Sequence, residues 1–401
     1  MIAQVSTLIA DTPEQQLLNQ LQVLLSKYLS TEDIDNVLHA YQFGAKQHLG
    51  QFRKSGEAYI CHPLSVAIIL AEMQMDTHGI MAGILHDVVE DTETSIEEIQ
   101  TLFGDDVALL VGGVTKLTQL NCKTQAEAQA ENIRKMCLAM AKDLRVIMVK
   151  LADRLHNMQT LGVMRPEKKY RIAKETLEIY TPIANRLGMN SIRHQLELLS
   201  FEAMYPIRHN VLLAHIKKAR GHRKEIIEII TSALENRLNQ IEIACSIKGR
   251  EKFLYSIYKK MRNKKLSFSD IFDVYAFRIY CEDVNSCYRI LGVVHNLYKP
   301  VPGKFKDYIA LPKANGYQSL HTVLVGPYGV PIEIQIRTHK MHRLSESGIA
   351  AHWLYKVDGE GSATQKSHAT EWIRDLLELQ QTSGNSLEFI DNLKVDLFPQ
   401  E

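Results

Sequence analysis

The hydropathy pattern divides the chain into two parts of different character. Between residues 14 and 225, apolar residues recur at helical spacing, as they do from Leu85 to Leu110 and from Thr181 to Tyr205. From about Ile241 onward, short runs rich in β-branched residues appear, namely IEIACSI, DVYAFRIYC, SLHTVLV and VPIEIQI. Helical spacing returns between and after these runs, at Glu251–Lys264, Asn285–Tyr298 and Thr338–Tyr355. The pattern predicts an all-α half followed by an α/β or α+β half.

Length and composition agree with two domains of an ordinary globular protein. A chain of 401 residues exceeds the usual size of one domain. Its 45% hydrophobic and 23% charged residues exclude collagen, a disulfide scaffold and wholesale disorder. The longest apolar stretches, such as Leu64–Leu70, are far shorter than the roughly 20 residues that a membrane helix needs. Six cysteines without a CxxC pair, and an N-terminus without signal-peptide features, predict reduced thiols, a cytoplasmic location and no membrane partner.

Charge is distributed unevenly although the formal net charge is only +1. The segment from Asp76 to Leu110 contains nine Asp/Glu and no Lys/Arg, whereas the segment from Arg208 to Lys265 contains fifteen Lys/Arg and five Asp/Glu. Each segment is explained most simply as a solvated helix face. The functional alternatives are a metal site in the acidic segment and a phosphate-binding surface in the basic one.

The acidic segment contains the sequence ILHDVVEDT, in which His86 and Asp87 are adjacent. On the predicted helix, Glu90 and Asp91 follow one turn after His86 and Asp87, respectively. His62 lies upstream in YICHPL, and Asp153 lies downstream in KLADRLHNM. Two imidazoles and two carboxylates suit a divalent ion such as manganese, iron or zinc. Buried, hydrogen-bonded histidines beside a solvated acidic helix face are the alternative, and for an isolated His-Asp pair they are the better explanation.

The order H…HD…D, together with RKSGEAYICHP and LADRLHNMQTL, resembles the HD phosphohydrolase superfamily and, within it, the hydrolase domain of the RelA/SpoT family. The resemblance implies an all-α domain that removes the 3′-pyrophosphate of (p)ppGpp with Mn²⁺. The implied metal ligands are His62, His86, Asp87 and Asp153, and the implied catalytic acids are Glu90 and Asp91. The implied nucleotide contacts are Arg53, Lys54, Asn157 and Thr160. Gln159 stands where the family pattern has arginine, so one cationic contact is absent, whereas the six metal and acid positions are intact.

In the second half no GxxxxGK[ST] and no GxGxxG motif occurs, so Walker and Rossmann nucleotide sites lack their usual support. Arg250, Lys252, Lys259 and Lys260 instead cluster at a predicted strand-to-helix turn, where phosphates meet cations and free amide donors. A basic surface helix explains the cluster equally well.

Asp273 and Glu333 both lie on predicted strands, where two acids could share one Mg²⁺ bound to a nucleoside triphosphate. Between them, KPVPGKFKDYIALPKANGYQSLHTV combines lysines and two tyrosines with Pro and Gly. Aromatic rings stack on bases while lysines meet phosphates, so this loop could bind a nucleotide. RNA binding is the competing interpretation of the same composition.

Together with the residues before it and with ExQIRT after it, this loop resembles the synthetase domain of the RelA/SpoT family. The resemblance implies an α+β, nucleotidyltransferase-like fold with a mixed sheet, which transfers pyrophosphate from ATP to the 3′-hydroxyl of GDP or GTP. Implied ATP contacts are Arg250, Lys252, Ser256, Lys260 and Arg278. Asp273 is the implied Mg²⁺ ligand, and Glu333 the implied metal ligand or catalytic base. Implied guanine-nucleotide contacts are Lys304, Lys306, Lys313, Asn315, Tyr317 and His321. Lys304 replaces the arginine of the family's RFKD, which keeps the charge but loses a possible bidentate contact.

The predicted organisation is a hydrolase domain over residues 1–195, a helical connector over 196–240, a synthetase domain over 241–357, and a linker with a helix over 358–401. Further regulatory domains, and protein regulators acting through them, are expected beyond the last residue. The predicted function is bifunctional metabolism of ppGpp and pppGpp in the stringent response. A hydrolase whose second half only binds nucleotide for regulation, and a non-enzymatic RNA-binding protein, are the alternatives.

Overall fold

The computed structural model describes residues 12–115, 125–249, 253–265, 267–268, 275–313 and 315–348, and then residues 372, 374–376, 378–379, 382–383 and 385–397. The described residues form two compact units. The first unit contains residues 12–165 and the described residues from 372 onward, and the second contains residues 166–348. The domain boundaries expected at 195, 240 and 357 remain predictions.

The first unit is helical, as the spacing of its apolar residues predicts. Its helices are α1 (Pro13–Leu25), α2 (Thr31–Gln47), α3 (Cys61–Glu72), α4 (Thr77–Leu85), α5 (Val88–Asp91), α6 (Ile96–Phe103), α7 (Asp105–Thr115), α8 (Gln125–Lys142) and α9 (Arg145–Gln159), followed by a 3₁₀ turn at Leu161–Val163. Side-chain oxygens of Ser30, Asp76 and Ser95 cap α2, α4 and α6 by accepting a backbone N–H three residues on.

Helix α3 lies at the centre of this unit and packs against α1, α4 and α9. Ten of its twelve residues are buried, including Leu64, Ala67 and Leu70, so it is apolar on all sides rather than amphipathic. Since α3 begins at Cys61–His62, the same packing that buries this helix also fixes the position of His62.

The second unit combines helices with one sheet. Its helices are α10 (Pro166–Glu175), a π-helical turn (Thr176–Tyr180), α11 (Thr181–Arg186), α12 (Asn190–Met204), α13 (Pro206–Asn239), α14 (Leu254–Lys264), α15 (Val284–Leu297), a 3₁₀ turn (Pro327–Gly329) and α16 (His339–Ser347). Its strands are β1 (Cys245–Gly249), β2 (Tyr275–Cys281), β3 (Lys299–Pro300), β4 (Lys306–Asp307), β5 (Leu320–Val325) and β6 (Pro331–Thr338).

The sheet has the order β1-β2-β6-β5-β3, and β4 also pairs with β5. Strands β2 and β6 are parallel and the other pairs are antiparallel, so the sheet is mixed, as the resemblance implies. Buried residues of α13 and α15 form one core with β2, β5 and β6, among them Leu234, Ile290, Phe277, Leu320 and Ile334.

The strand expected from Ile241 begins only at Cys245. Helix α13 continues to Asn239, and Glu242 then adopts a left-handed backbone conformation with φ of 53°. The amide of Ile243 bonds back to the carbonyl of Leu238, and both side chains are buried. The first apolar residues of the run, Ile241 and Ile243, therefore belong to the C-terminal end of α13. A buried residue after a left-handed turn is common at helix ends.

The last described helix, α17 (Ser386–Leu397), belongs to the first unit and packs on α8. Phe389 and Leu393 are buried, and the hydroxyl of Ser386 donates to Glu131 Oε2 over 2.5 Å. No helix in the described part of the chain is long and apolar enough to cross a membrane. The five cysteines within the described residues are free thiols, while Cys122 lies outside them.

Candidate active sites

The structure brings together the four residues expected to hold a metal in the first unit. His62 lies in the first turn of α3, His86 directly after α4, Asp87 directly before α5, and Asp153 in α9. Ligand atoms of His62, His86 and Asp87 all lie within 4.8 Å of one another. Asp153 Oδ1 lies 3.3 Å from His62 Nε2 and 3.9 Å from His86 Nε2. His62, His86 and Asp153 are buried, and Asp87 is partly exposed.

One continuous helix through His86 and Asp91 was expected, and this detail is wrong, because α4 ends at Leu85 and α5 begins at Val88. His86 Nδ1 lies 2.8 Å from the carbonyl oxygen of Gly83, which would accept the amide of Asp87 in a continuous helix. The amide of Asp91 still bonds to the carbonyl of Asp87, so the expected one-turn spacing of these two acids is present.

The chemistry of this group fits a divalent cation. Because His86 Nδ1 faces a carbonyl oxygen, it carries a proton, and Nε2 lies 3.2 Å from Asp87 Oδ1, where either a second proton or a metal cation can occupy it. His86 Nε2 is buried, and among the described residues no group completes a well-aligned hydrogen bond to it. Such an orphaned nitrogen beside carboxylates is typical of a metal ligand.

The electrostatics of the group follow from its burial. Burial lowers the pKa of His62, more than the neighbouring carboxylate of Asp153 raises it. For His86, burial also lowers the pKa, but the charge of Asp87 outweighs it and raises the value to about 9. The pKa values of the two imidazoles shift in opposite directions although both rings lie beside the same carboxylates, which indicates that the group holds one extra proton, on His86. A cation between them would take the place of that proton.

Glu90 and Asp91, the expected catalytic acids, differ in environment. Burial raises the pKa of Glu90 to about 7, against the opposing charge of Lys150, so this carboxyl group can exchange a proton near neutral pH. Asp91 is exposed, and its Oδ2 accepts a hydrogen bond of 2.6 Å from the hydroxyl of Tyr59. The same hydroxyl lies 2.9 Å from Asp87 Oδ2. Tyr59 thus links a candidate metal ligand to a candidate catalytic acid.

Two of the expected nucleotide contacts of the first unit, Arg53 and Asn157, are connected to this group by hydrogen bonds. Arg53 directs Nη2 to Asn157 Oδ1 at 2.9 Å and Nη1 to His156 Nδ1 at 3.2 Å. Asn157 in turn donates to Asp153 Oδ1 over 2.5 Å. Lys54 is exposed, and the hydroxyl of Thr160 donates to the carbonyl of His156. Sequence reasoning missed Tyr59 and His156, although both stand inside the quoted motifs YICHP and LADRLHN.

In the second unit, the candidate acid Glu333 lies on β6 beside β2, which contributes Arg278. Arg278 Nε donates to Gln335 Oε1 over 3.3 Å, and Gln335 Nε2 donates to Glu333 Oε1 over 3.1 Å. Gln335 is buried, so it holds the two expected site residues in fixed relation. Arg278 also lies 3.6 Å from Glu346.

The expected phosphate-binding cluster is described only in part. Ser256 and Lys260 lie on α14, where Ser256 is half-buried and Lys260 is exposed. Arg250, Lys252 and Asp273 lie outside the described residues.

The expected guanine-nucleotide residues surround two aromatic rings. The hydroxyl of Tyr317 lies 2.7 Å from His321 Nε2, and the rings of Tyr308 and His321 meet edge-on at 5.2 Å. Lys313 and Lys306 carry their ammonium groups 5.0 and 6.0 Å from the Tyr308 ring centre. Tyr308 was not among the predicted site residues, and its position among lysines was the available signal.

The remaining members of this set differ in how firmly they are held. Asn315 is tied at both ends of its amide, because Oδ1 accepts from the backbone of Tyr317 and Nδ2 donates to the carbonyl of Asn185. Lys304, Lys306 and Lys313 are exposed. Below Tyr317 lies the fully buried guanidinium of Arg337, 5.9 Å from the ring centre and 2.9 Å from His342 Nδ1. The set offers an aromatic face, several cations and fixed amide groups.

Comparisons with known proteins match both units. A model described as HD domain matches residues 40–190, and one described as a region found in RelA and SpoT proteins matches residues 249–360. The chain is 54% identical over 385 residues to the bifunctional (p)ppGpp synthase/hydrolase SpoT of Escherichia coli (strain K12), which covers 96% of this chain and 55% of the relative. It is 48% identical over 380 residues to a GTP pyrophosphokinase of Myxococcus xanthus, with 94% and 50% covered. The chain spans about half the length of the curated relatives it matches.

Proposed function

Because the chain belongs to the RelA/SpoT family, we propose that its first unit hydrolyses ppGpp to GDP and pyrophosphate and that its second unit makes ppGpp or pppGpp from ATP and GDP or GTP. The observation that carries the hydrolase proposal is the convergence of His62, His86 and Asp87, with Asp153 at 3.3 Å from His62. A purely structural histidine pair has no need of two further carboxylates at this distance.

The metal proposed for the first site is Mn²⁺, held by His62, His86, Asp87 and Asp153. Mixed imidazole and carboxylate ligands suit manganese better than a thiolate-preferring ion. A divalent ion supplies Lewis acidity, which makes water easier to deprotonate and neutralises charge on a phosphoryl group.

The protein's own groups then perform the remaining tasks. Glu90, with its pKa near 7, accepts the proton from the attacking water and can return it to the leaving group. Asp91, fixed by Tyr59, orients that water from the exposed side of the site. Arg53 is partly exposed while its guanidinium contacts His156 and Asn157, and its planar cation suits a guanine ring. Lys54 and Thr160 complete the proposed nucleotide contacts.

For the second unit, we propose that ATP lies against Arg250, Lys252, Ser256, Lys260 and Arg278, with Mg²⁺ on Asp273 and Glu333. The acceptor nucleotide stacks on Tyr317 and meets Lys304, Lys306, Lys313, Asn315 and His321. The support is the arrangement of those residues of these sets that the structure describes. Above all, two hydrogen bonds through Gln335 connect Arg278, a proposed ATP contact, to the acid Glu333. As the alternative to sharing this Mg²⁺, Glu333 takes the 3′-hydroxyl proton as that oxygen attacks the β-phosphate of ATP and AMP leaves.

Two assays on the purified chain test the proposal. The first measures ppGpp hydrolysis with Mn²⁺, and the second measures AMP and ppGpp formation from ATP and GDP with Mg²⁺. We expect both activities. Hydrolysis without synthesis would favour the alternative in which the second unit only binds nucleotide. Salt-dependent RNA binding without turnover of either substrate would favour the RNA-binding alternative. The cytoplasmic location and regulators that act through further domains remain predictions.

A further inference from the structure

His156 lies between two residues of the proposed hydrolase site without belonging to either of the expected residue sets. It is 9% exposed, in the last turn of α9. Its Nδ1 atom lies 2.6 Å from Nδ1 of His62 and 3.2 Å from Nη1 of Arg53. The ring centroids are 4.9 Å apart and the ring planes are inclined by 26°, so the two nitrogens lie between the ring centres.

These two contacts determine which ring nitrogens carry protons. A guanidinium group only donates hydrogen bonds, so His156 Nδ1 must be an acceptor in its contact with Arg53. His156 is therefore neutral, with its proton on Nε2. Two unprotonated nitrogens would repel each other at 2.6 Å, so Nδ1 of His62 must carry a proton and donate it to His156 Nδ1.

The proton on Nδ1 of His62 determines the state of the other ring nitrogen, Nε2. A neutral imidazole with its proton on Nδ1 has its lone pair on Nε2. In His62 this atom lies 3.3 Å from Asp153 Oδ1 and 3.6 Å from Asp87 Oδ2, which is the position of the candidate metal. Nδ1 of His86 is likewise protonated, because it faces the carbonyl oxygen of Gly83.

Arg53 connects this arrangement to a second ligand. Its other terminal nitrogen donates to Asn157 Oδ1, which turns the amide nitrogen of Asn157 toward Asp153 Oδ1. One guanidinium fork therefore orients two consecutive residues of α9, and each of them contacts one candidate ligand. The outer partner of a metal-binding imidazole normally fixes both its tautomer and its ring orientation.

We propose that His156 is a positioning residue of the hydrolase site, which holds His62 in the Nδ1-protonated tautomer so that Nε2 is available to the metal. The inference rests on the proposed hydrolase function, because only a metal site makes use of that lone pair. His156 itself touches neither metal nor substrate.

The test compares two substitutions of different chemistry. In His156→Asn, the amide oxygen falls near the place of Nδ1 and keeps an acceptor for both His62 and Arg53. In His156→Leu, the volume is kept and the acceptor is lost. We expect the Kd for Mn²⁺, measured by titration of metal-free protein, to rise about 10- to 100-fold in His156→Leu and to stay within about threefold in His156→Asn.

A second readout does not depend on turnover or on metal. In ¹⁵N-histidine spectra of metal-free wild-type protein, with the His62 signals identified by their loss in His62→Gln, we expect a protonated Nδ1 and an unprotonated Nε2. His156→Asn should keep this pattern, and His156→Leu should give a mixture of tautomers. An unprotonated Nδ1 of His62 in the wild type would overturn the proposal even if His156→Leu fails to fold. Equal Mn²⁺ affinity in all three folded proteins, or an Asn variant as weak as the Leu variant, would also overturn it.

Failure of the proposed function gives a different result. Wild-type protein that binds Mn²⁺ but leaves ppGpp intact would contradict the hydrolase activity while the tautomer pattern stays as expected. Normal hydrolysis combined with unchanged Mn²⁺ affinity in His156→Leu would contradict the role of His156 alone.

Discussion

The two candidate sites differ in how much of their geometry the protein fixes by itself. In the first unit, His62, His86 and Asp153 are buried. Nδ1 of each histidine lies within hydrogen-bond distance of His156 or of the Gly83 carbonyl, and Asp153 is held at Oδ1 by Asn157 and at Oδ2 by Lys150. In the second unit, Lys304, Lys306 and Lys313 are exposed.

A buried polar network has a single arrangement, because each unmet hydrogen bond in it is costly. An exposed lysine keeps its rotamer freedom until a phosphate arrives and then loses it on binding. We therefore expect the first site to be sensitive to the loss of one hydroxyl group, and the second to depend more on the acid and the aromatic ring than on any single lysine. Four substitutions test this difference.

The largest effect is expected for Asp87→Ala. Since Asp87 lies within reach of both candidate histidine ligands, its loss should abolish measurable ppGpp hydrolysis, a larger effect than the roughly 10- to 100-fold that outer partners of a metal usually contribute. ATP-dependent synthesis should stay within about twofold of the wild type. Both are measured as initial rates on the same preparations, with Asp35→Ala, an exposed acid on α2, as the matched control. Metal-dependent hydrolysis at the wild-type rate would remove Asp87 from the ligand set.

Glu333→Gln should affect the opposite activity. If Glu333 accepts the 3′-hydroxyl proton or binds the metal, kcat for synthesis should fall by roughly 10²- to 10⁴-fold, while hydrolysis is unchanged. The amide keeps the shape of the side chain and can still bond to Gln335, so a change in folding is not the expected cause. Glu282→Gln, at a highly exposed residue directly after β2, is the control. A full wild-type kcat in Glu333→Gln would mean that another group performs this task.

Tyr59→Phe tests whether the first site depends on a single hydroxyl. The substitution removes the hydrogen bonds to Asp87 and Asp91 and keeps the ring that stacks on His48 at 4.6 Å. We expect hydrolysis to fall about 10-fold, mainly in kcat, with a weaker affinity for Mn²⁺. Tyr41→Phe, which loses a comparable bond to Glu14 in the same unit, should leave both quantities unchanged. If the two variants behave alike, Tyr59 serves only the stability of the fold.

The smallest effect is expected for Tyr317→Phe. The ring remains for stacking on guanine, and the variant loses only the contact of its hydroxyl with His321. One such hydrogen bond is worth about 0.5–1.5 kcal/mol, so KM for GDP should rise roughly two- to tenfold with little change in kcat. Tyr328→Phe, at the highly exposed tyrosine of the 3₁₀ turn Pro327–Gly329, is the control variant. A loss larger than 100-fold would show that the second site is as tightly organised as the first.

Much of the fold was predictable, because periodicity reports burial directly. Periodicity predicted a helical first half and a second half of strands and helices, and both are present. That the sheet is mixed was implied by the family resemblance and is also observed. The beginning of β1 was missed because the apolar residues Ile241 and Ile243 look like a strand, yet they close the end of α13. Periodicity cannot distinguish these two uses of a short apolar run.

The candidate site was predictable as a set of residues and unpredictable as a network. Motif order identified His62, His86, Asp87 and Asp153, and the structure brings them together. It did not identify Tyr59, His156 or Gln335, because their significance lies in contacts between residues that are distant in sequence or on neighbouring strands. The residue type alone does not identify such hydrogen-bond partners, because tyrosine, histidine and glutamine are common in helices and strands that are far from any active site.

The break between α4 and α5 has a practical consequence for anyone who wishes to transplant this site. On a regular helix, two adjacent side chains point roughly 100° apart and could not both face one ion. Here the helix is interrupted at His86 and Asp87, and His86 Nε2 and Asp87 Oδ1 lie only 3.2 Å apart. Grafting the His-Asp pair onto an uninterrupted helix would reproduce the two residues of the motif but not the short distance between their ligand atoms. The transferable unit is the turn itself, including Gly83, whose carbonyl holds the imidazole in place.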